Sequence, residues 1–161
     1  MLFNGAKKHN RIVRFMSNTQ KRIEELFKSA RLKKDYFEIE TFNMLRAQIK
    51  NARIEKMEDL VEEDVLKVVK RECKQLNESM EAFKVSGSES GYKESQERYK
   101  LIEPLLPEEV SEDQILAIVD EVLSSVEDRS NFGPIMGQVM SRLKGQNVDG
   151  KKVREALQRR I

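Results

Sequence analysis

Between Glu62 and Val85 the chain runs without a proline or a glycine, and its apolar residues keep a helical period at Val65, Val69, Cys73, Leu76, Met80 and Phe83. A strand would need alternation with a period of two, so this stretch admits only a long amphipathic helix. Composition extends the point to the whole chain. Charged residues make up 36% and aromatics 6%, with no Trp, which suits long helices with solvated faces better than a β-sandwich. Three prolines and seven glycines in 161 residues leave room for only a few breaks.

The breaks divide the chain into helices, and the spacing predicts an all-α fold. Ser17 with Gln20 forms a capping-box pattern before Ile23, Leu26, Phe27 and Ala30, and Lys33-Lys34 complement the dipole at the end. Asp35 and Glu38 open a second helix with a buried stripe of Ile39, Phe42, Leu45 and Ile49. The acidic stretch from Glu55 to Asp64 reads as the connection to the long third helix. Ser86-Gly87-Ser88-Glu89-Ser90-Gly91 reads as a loop. A fourth helix then runs from about Tyr92, with Tyr99, Ile102, Leu105 and Leu106 inward, and Pro107 helps to end it. Four helices over residues 16–107 predict a bundle-like subdomain.

Residues 108–161 predict a small basic subdomain of three helices. Ser111 with Gln114 repeats the capping box before Ile115, Ile118, Val119, Val122 and Val126. Two short helices follow. The first carries Ile135, Met136, Val139, Met140 and Leu143 on one face, with Pro134 tolerated near its start. Gly145 stands where a helix ends in a left-handed residue. Asp149 is placed to cap the last helix, whose inner side is Val153, Ala156 and Leu157. Around this seam lie Arg142, Lys144, Lys151, Lys152, Arg154, Arg159 and Arg160 against only Asp149 and Glu155. Gly137 is read as permitting close helix packing, and Met136 and Met140 as core rather than a base-stacking platform.

These residues also resemble a known family. A glycine flanked by methionines, Met136-Gly137-Gln138-Val139-Met140, followed by a turn with the Asp149-Gly150-Lys151 step, is similar to the C-terminal signature of the GatB/YqeY family. That family comprises stand-alone YqeY-like proteins and the tail of the B subunit of the tRNA-dependent amidotransferase. Leu45-Arg46 with Ile49-Lys50-Asn51 resembles its early helix, and Lys74-Gln75, Ser79 and Phe83 its middle helix. Leu106-Pro107 with Ser111-Glu112-Asp113 resembles its Leu-Pro junction, and Met16-Ser17 the usual start of bacterial YqeY-like chains. The resemblance runs from about Met16 to the end. Two positions depart from it as packing changes: Leu76 stands where a basic residue is usual, and Leu105 where an aromatic often precedes Leu-Pro. The resemblance implies two helical subdomains and a tail that engages tRNA away from the amidotransferase's reaction centre, which lies in other domains.

The residues themselves offer no catalytic constellation. His9 is the only histidine, so a Ser-His-Asp or Cys-His arrangement is disfavoured. No Cys/His pattern suggests a metal site, and no phosphate loop or dinucleotide fingerprint occurs. No catalytic residue, metal or cofactor is expected. Cys73 is the only cysteine, which rules out an internal disulfide and fits a reducing compartment; it reads as a small buried hydrophobe. No apolar run is long enough to span a bilayer.

Charge is segregated beneath a net value of +2. From Leu101 to Asp128 there is no Lys or Arg but there are Glu103, Glu108, Glu109, Glu112, Asp113, Asp120, Glu121, Glu127 and Asp128. The basic hairpin follows at once. Either this polarity orients a charged partner, or both stretches are ordinary solvated faces. Residues 1–15 carry Lys7, Lys8, Arg11 and Arg14 with no acidic residue before Glu24. They read as a disordered or loosely packed extension, a targeting segment or an over-long start, giving a cytoplasmic location or, with a presequence, a mitochondrial one.

Two functions follow. In the first, the hairpin binds tRNA phosphates through Arg142, Lys144, Lys151, Lys152 and Arg154, with Gly145 and Gly150 allowing close approach and the last helix's N-terminus adding favourable charge. DNA and membranes are not expected partners. In the second, the bundle or the acidic segment docks a protein, such as an amidotransferase subunit, and the basic tail serves charge matching.

Overall fold

Residues 16–161 are described by the computed structural model, and they contain seven α-helices and no strand, the all-α fold that the periodicity predicts. In order these are α1 (Asn18–Lys33), α2 (Tyr36–Lys56), α3 (Glu62–Ser86), α4 (Glu89–Ile102), α5 (Glu112–Ser125), α6 (Phe132–Arg142) and α7 (Gly150–Gln158). A 3-10 turn, Glu103–Leu105, follows α4. The chain divides into two compact units, with the boundary between Leu106 and Pro107. The expectations for residues 1–15, extension or targeting segment, lie outside the described residues.

Local chemistry sets most helix starts. Side-chain oxygens of Ser17, Asp35 and Ser111 each accept from the N–H three residues on, at 3.2, 3.0 and 3.3 Å. At Ser111 the box is complete, because Gln114 Oε1 accepts in return from the Ser111 N–H at 3.0 Å. Each helix then buries one stripe. In the first unit Ile23, Leu45, Ile49, Val65, Val69, Cys73, Leu76 and Ile102 form the core. Leu76 and Leu105, the two departures from the family pattern, are both buried in it. In the second unit Ile115, Val119, Val122, Ile135, Val139, Leu143, Val153 and Leu157 form a separate core.

Three connections differ from the reading of the sequence. The acidic connection Glu55–Asp64 shortens, because α2 continues to Lys56, while α3 begins at Glu62 as its period predicts. Met57 ends α2 in the left-handed region (φ 59°), and Glu62, Glu63 and Asp64 fill the first turn of α3, where negative charge is favoured. The loop Ser86–Gly91 contracts to Gly87 and Ser88. Gly87 takes φ 74°, and Ser88 Oγ caps α4 by accepting from the Gly91 N–H at 3.3 Å, so Glu89–Gly91 are helical. The end of α4 belongs to Pro104 rather than Pro107. Pro104 lacks the N–H that would continue the helix, and the chain tightens to 3-10 at Glu103.

Charged side chains tie the first unit together. The Glu62 carboxylate accepts from the Thr19 N–H at 3.3 and 3.2 Å and from the Thr19 hydroxyl. It thereby caps α1 from the start of α3. Partial burial opposes its charge, but hydrogen bonds from Thr19, Ser17 and the Asn18 and Thr19 amides outweigh that and hold its pKa below the ordinary 4.5. Arg46 lies over the Phe27 ring at 4.1 Å and donates to Glu24 at 2.8 Å, so the Leu45-Arg46 pair joins α2 to α1.

Gly91 is required by packing. A Cβ built there would lie 2.6 Å from the Phe83 ring, which fills the space between α3 and α4. Gly91→Ala is expected to destabilise the first unit by about 1–3 kcal/mol through overpacking, less about 1 kcal/mol regained from helix propensity. Urea unfolding of that variant and of Gly91→Ala with Phe83→Leu tests this: the double variant should recover stability, and an unchanged midpoint in the single variant would refute the packing argument. Glu62 gives a second test. Its depressed pKa means its contribution is full above pH 4.5 and is lost as pH falls through the folded value. Acid melting should therefore show a step that Glu62→Gln removes; the variant should be less stable than the parent at pH 7 and approach it at low pH.

Candidate nucleic-acid interface

The basic hairpin is built on a narrow apolar face. In α6, Ile135 and Val139 are buried and Met136 packs against the core at partial burial; Leu143 follows the helix and is buried too. Pro134 sits in the first turn, where its missing N–H has no intrahelical partner to lose. Two readings of this helix are corrected. Met140 is exposed rather than core, because Ile135, Val139 and Leu143 already cover a unit this small. Gly137 does not serve close packing: a Cβ there would meet nothing within 4 Å.

The turn after α6 behaves as its glycine suggests. Gly145 takes φ 80°, and the Gln146 N–H returns to the Leu143 carbonyl at 3.1 Å. The chain is then stitched to the segment leading into α5. Val110 donates its N–H to the Asn147 carbonyl at 2.8 Å, and Asn147 Nδ2 donates to the Pro107 carbonyl at 2.8 Å. Asp149 caps α7, its carboxylate accepting from the Lys151 N–H at 2.8 Å. Asp149 is thus the cap that the sequence predicts, and its carboxylate takes the Lys151 N–H. Gly150 is not in the left-handed region, and a Cβ there would meet nothing within 4 Å.

The hairpin's charges sort into two groups. Arg142 pairs with Glu121 at 2.5 Å, Lys152 with Glu109 at 2.7 Å, Arg159 with Glu112 at 2.8 Å and Arg160 with Asp120 at 3.4 Å. Glu109, Glu112, Asp120 and Glu121 of the acidic segment are therefore counter-charges to basic residues of the hairpin. The hydrogen bond and charge of Glu109 raise the Lys152 pKa further above its ordinary value. Lys144, Lys151 and Arg154 are exposed and have no ion-pair partner among the described residues. Lys151 and Arg154 are three apart on α7 and so share a face. Of the seven residues named from the sequence, Arg142 and Lys152 are thus engaged, Lys144, Lys151 and Arg154 are available, and Gly145 and Gly150 shape or border the turn.

Among the described residues no group of three or more His, Cys, Asp or Glu gathers to hold a metal ion, and no helix is long and apolar enough to cross a membrane. Cys73 is buried in the core, and desolvation, with smaller contributions from the charges of Glu103 and Glu72, pushes its thiol up to about 11. Sequence reading missed the buried charges Glu72 and Arg98. Glu72 lies four residues from both Val68 and Leu76, on the buried stripe itself, and that spacing is the signal that could have found it.

The family model described as Yqey-like protein matches residues 20–161. No curated protein matches the chain. The burial of Cys73 carries its own test. Iodoacetamide at pH 8 should alkylate the native protein far more slowly than the urea-unfolded protein, and equal rates would show an accessible thiolate.

Proposed function

The chain belongs to the YqeY-like family, and from that premise we propose that it is a non-catalytic module that engages tRNA through the α6–α7 hairpin. The likeness to the tail of the amidotransferase B subunit supports this reading, and so does one physical observation. Lys144, Lys151 and Arg154 remain exposed and unneutralised in a unit where Arg142, Lys152, Arg159 and Arg160 have carboxylate partners. Exposed cations without a local counter-charge are what a phosphate backbone recruits. The hairpin offers few aromatics, with only Phe132 near, so recognition rests on shape and backbone rather than on stacked bases. Arg142 and Lys152 join only after releasing Glu121 and Glu109. Exposed pairs of this kind are held weakly, so phosphates can displace the carboxylates.

A protein partner is the second reading, and a specific surface favours it. Ile54, Met57 and Val61 are all exposed, at 63%, 91% and 57%, around the turn between α2 and α3. An amidotransferase component or another protein could dock there.

Binding of tRNA by the full chain across a salt series separates the two. We expect log affinity to fall by about 0.7–0.9 per phosphate contact for each tenfold rise in salt. Lys144→Gln, Lys151→Gln and Arg154→Gln together should abolish most binding, while Arg142→Gln with Lys152→Gln should weaken it less. Glu109→Gln with Glu121→Gln should strengthen it, by freeing Lys152 and Arg142. Equal binding by the triple variant would sink the hairpin assignment and turn attention to the α2–α3 turn.

A further inference from the structure

We propose that the groove formed by α2, α3 and α4 is a binding site for a primary ammonium carried on an unbranched aliphatic stem, held by Glu72. The groove has a volume of about 700 Å³ and is lined by Met44 of α2, by Glu72, Leu76 and Phe83 of α3, and by Ser95 and Arg98 of α4. That volume lies within the range of small-ligand sites.

Glu72 is the reason for the assignment. It is only 4% exposed, yet it lines the groove. Its Oε2 accepts from Gln48 Nε2 at 2.6 Å, and its Oε1 has no partner among the described residues. Gln48 Oε1, which is not part of the groove lining, is buried and accepts nothing. Glu72 thus keeps one hydrogen-bonded oxygen, while its Oε1 stands at the groove with no donor among the described residues. A carboxylate on a largely buried side chain without a paired charge is favourably met by a charged donor at its free oxygen.

Arg98 lines the same groove but does not serve this role. Its guanidinium donates to Glu40 at 2.8 Å, to Glu94 at 3.0 Å and to the Thr41 hydroxyl at 3.1 Å, and it lies over Phe37 at 4.9 Å. Its charge is spent on Glu40 and Glu94, which leaves Glu72 uncompensated.

The walls define the ligand. Met44, Leu76 and Phe83 are apolar and suit methylene groups, while the carboxylate below them suits a compact head with three donors. A planar guanidinium would need two acceptors in a fork, and Oε2 of Glu72 is already taken. A divalent metal would need several oxygen ligands, and no group of three candidate ligands exists among the described residues. The stem and head can come from a free linear polyamine or from a lysine side chain of a protein.

Calorimetry on the full chain distinguishes these sources. The probes are spermidine, cadaverine, an acetylated and amidated peptide with one central lysine among alanines, and magnesium chloride as a charge control. We expect an amine to bind, and Glu72→Gln to weaken it by about ten- to hundredfold, as loss of a hydrogen-bonded charge implies. Binding of spermidine or cadaverine identifies a free amine; binding of the peptide alone identifies a protein lysine. Met44→Lys supplies a second variant at an exposed wall position and should block the site with its own ammonium. Circular dichroism verifies folding; if Glu72→Gln does not fold, Met44→Lys decides the case. No binding by any amine, undiminished binding by a folded Glu72→Gln or Met44→Lys, or equal displacement by magnesium would overturn the proposal.

Discussion

The stripe of α3 is the constraint on which the first unit depends. Val65, Val69, Cys73 and Leu76 are all buried on one face, and α1, α2, α4 and the 3-10 turn each pack against this helix. A helix this long and this free of breaks cannot fold back on itself, so its neighbours must cover its apolar side. The capping chemistry at its two ends then decides where those neighbours begin. Glu62 at its start holds the first turn of α1, and Gly87-Ser88 at its end reverses the chain into α4. Close contact along that reversal requires the Phe83 ring to enter the space that Gly91 leaves open.

How far the fold can be read from the sequence follows from how local each cause is. Ser17, Asp35, Ser111 and Asp149 were legible because a cap is written in a few adjacent residues. The Ser86–Gly91 stretch misled because serine and glycine mark loops in general, whereas here Ser88 is a cap and Gly91 a packing residue inside a helix. The buried Arg98 could not be read at all without its partners, because Glu40 and Thr41 lie on another helix. In the hairpin the cations were visible but their availability was not. Glu109 stands far from Lys152 in sequence, and only the stitching of Asn147 to Pro107 and Val110 brings them together.

That pairing alters what the hairpin's charge means. Counting Lys and Arg in sequence suggests a strongly basic surface beside an acidic one. In the fold, Glu109, Glu112, Asp120 and Glu121 neutralise four of those cations across short distances. Lys144, Lys151 and Arg154 are then among the cations of that unit left without an ion pair. Salt acts on both levels, since it screens the approach of a partner and loosens the exposed pairs that compete with it.

The polar groups that knit the first unit differ in how completely they are answered. Glu62 receives donors from Thr19, Ser17 and the amides at the head of α1, and its lowered pKa expresses that surplus. Arg98 is enclosed by two carboxylates, a hydroxyl and an aromatic face. Both are complete without help, and their role is to hold helices together. Glu72 is more buried than Glu62 and has one donor, from an amide whose own oxygen is unanswered. Burial makes each missing donor more costly. Packing alone would favour an apolar residue between Val69 and Leu76. A charge that the fold neither needs for its core nor neutralises, placed on the wall of an open groove, is accounted for by something that enters the groove.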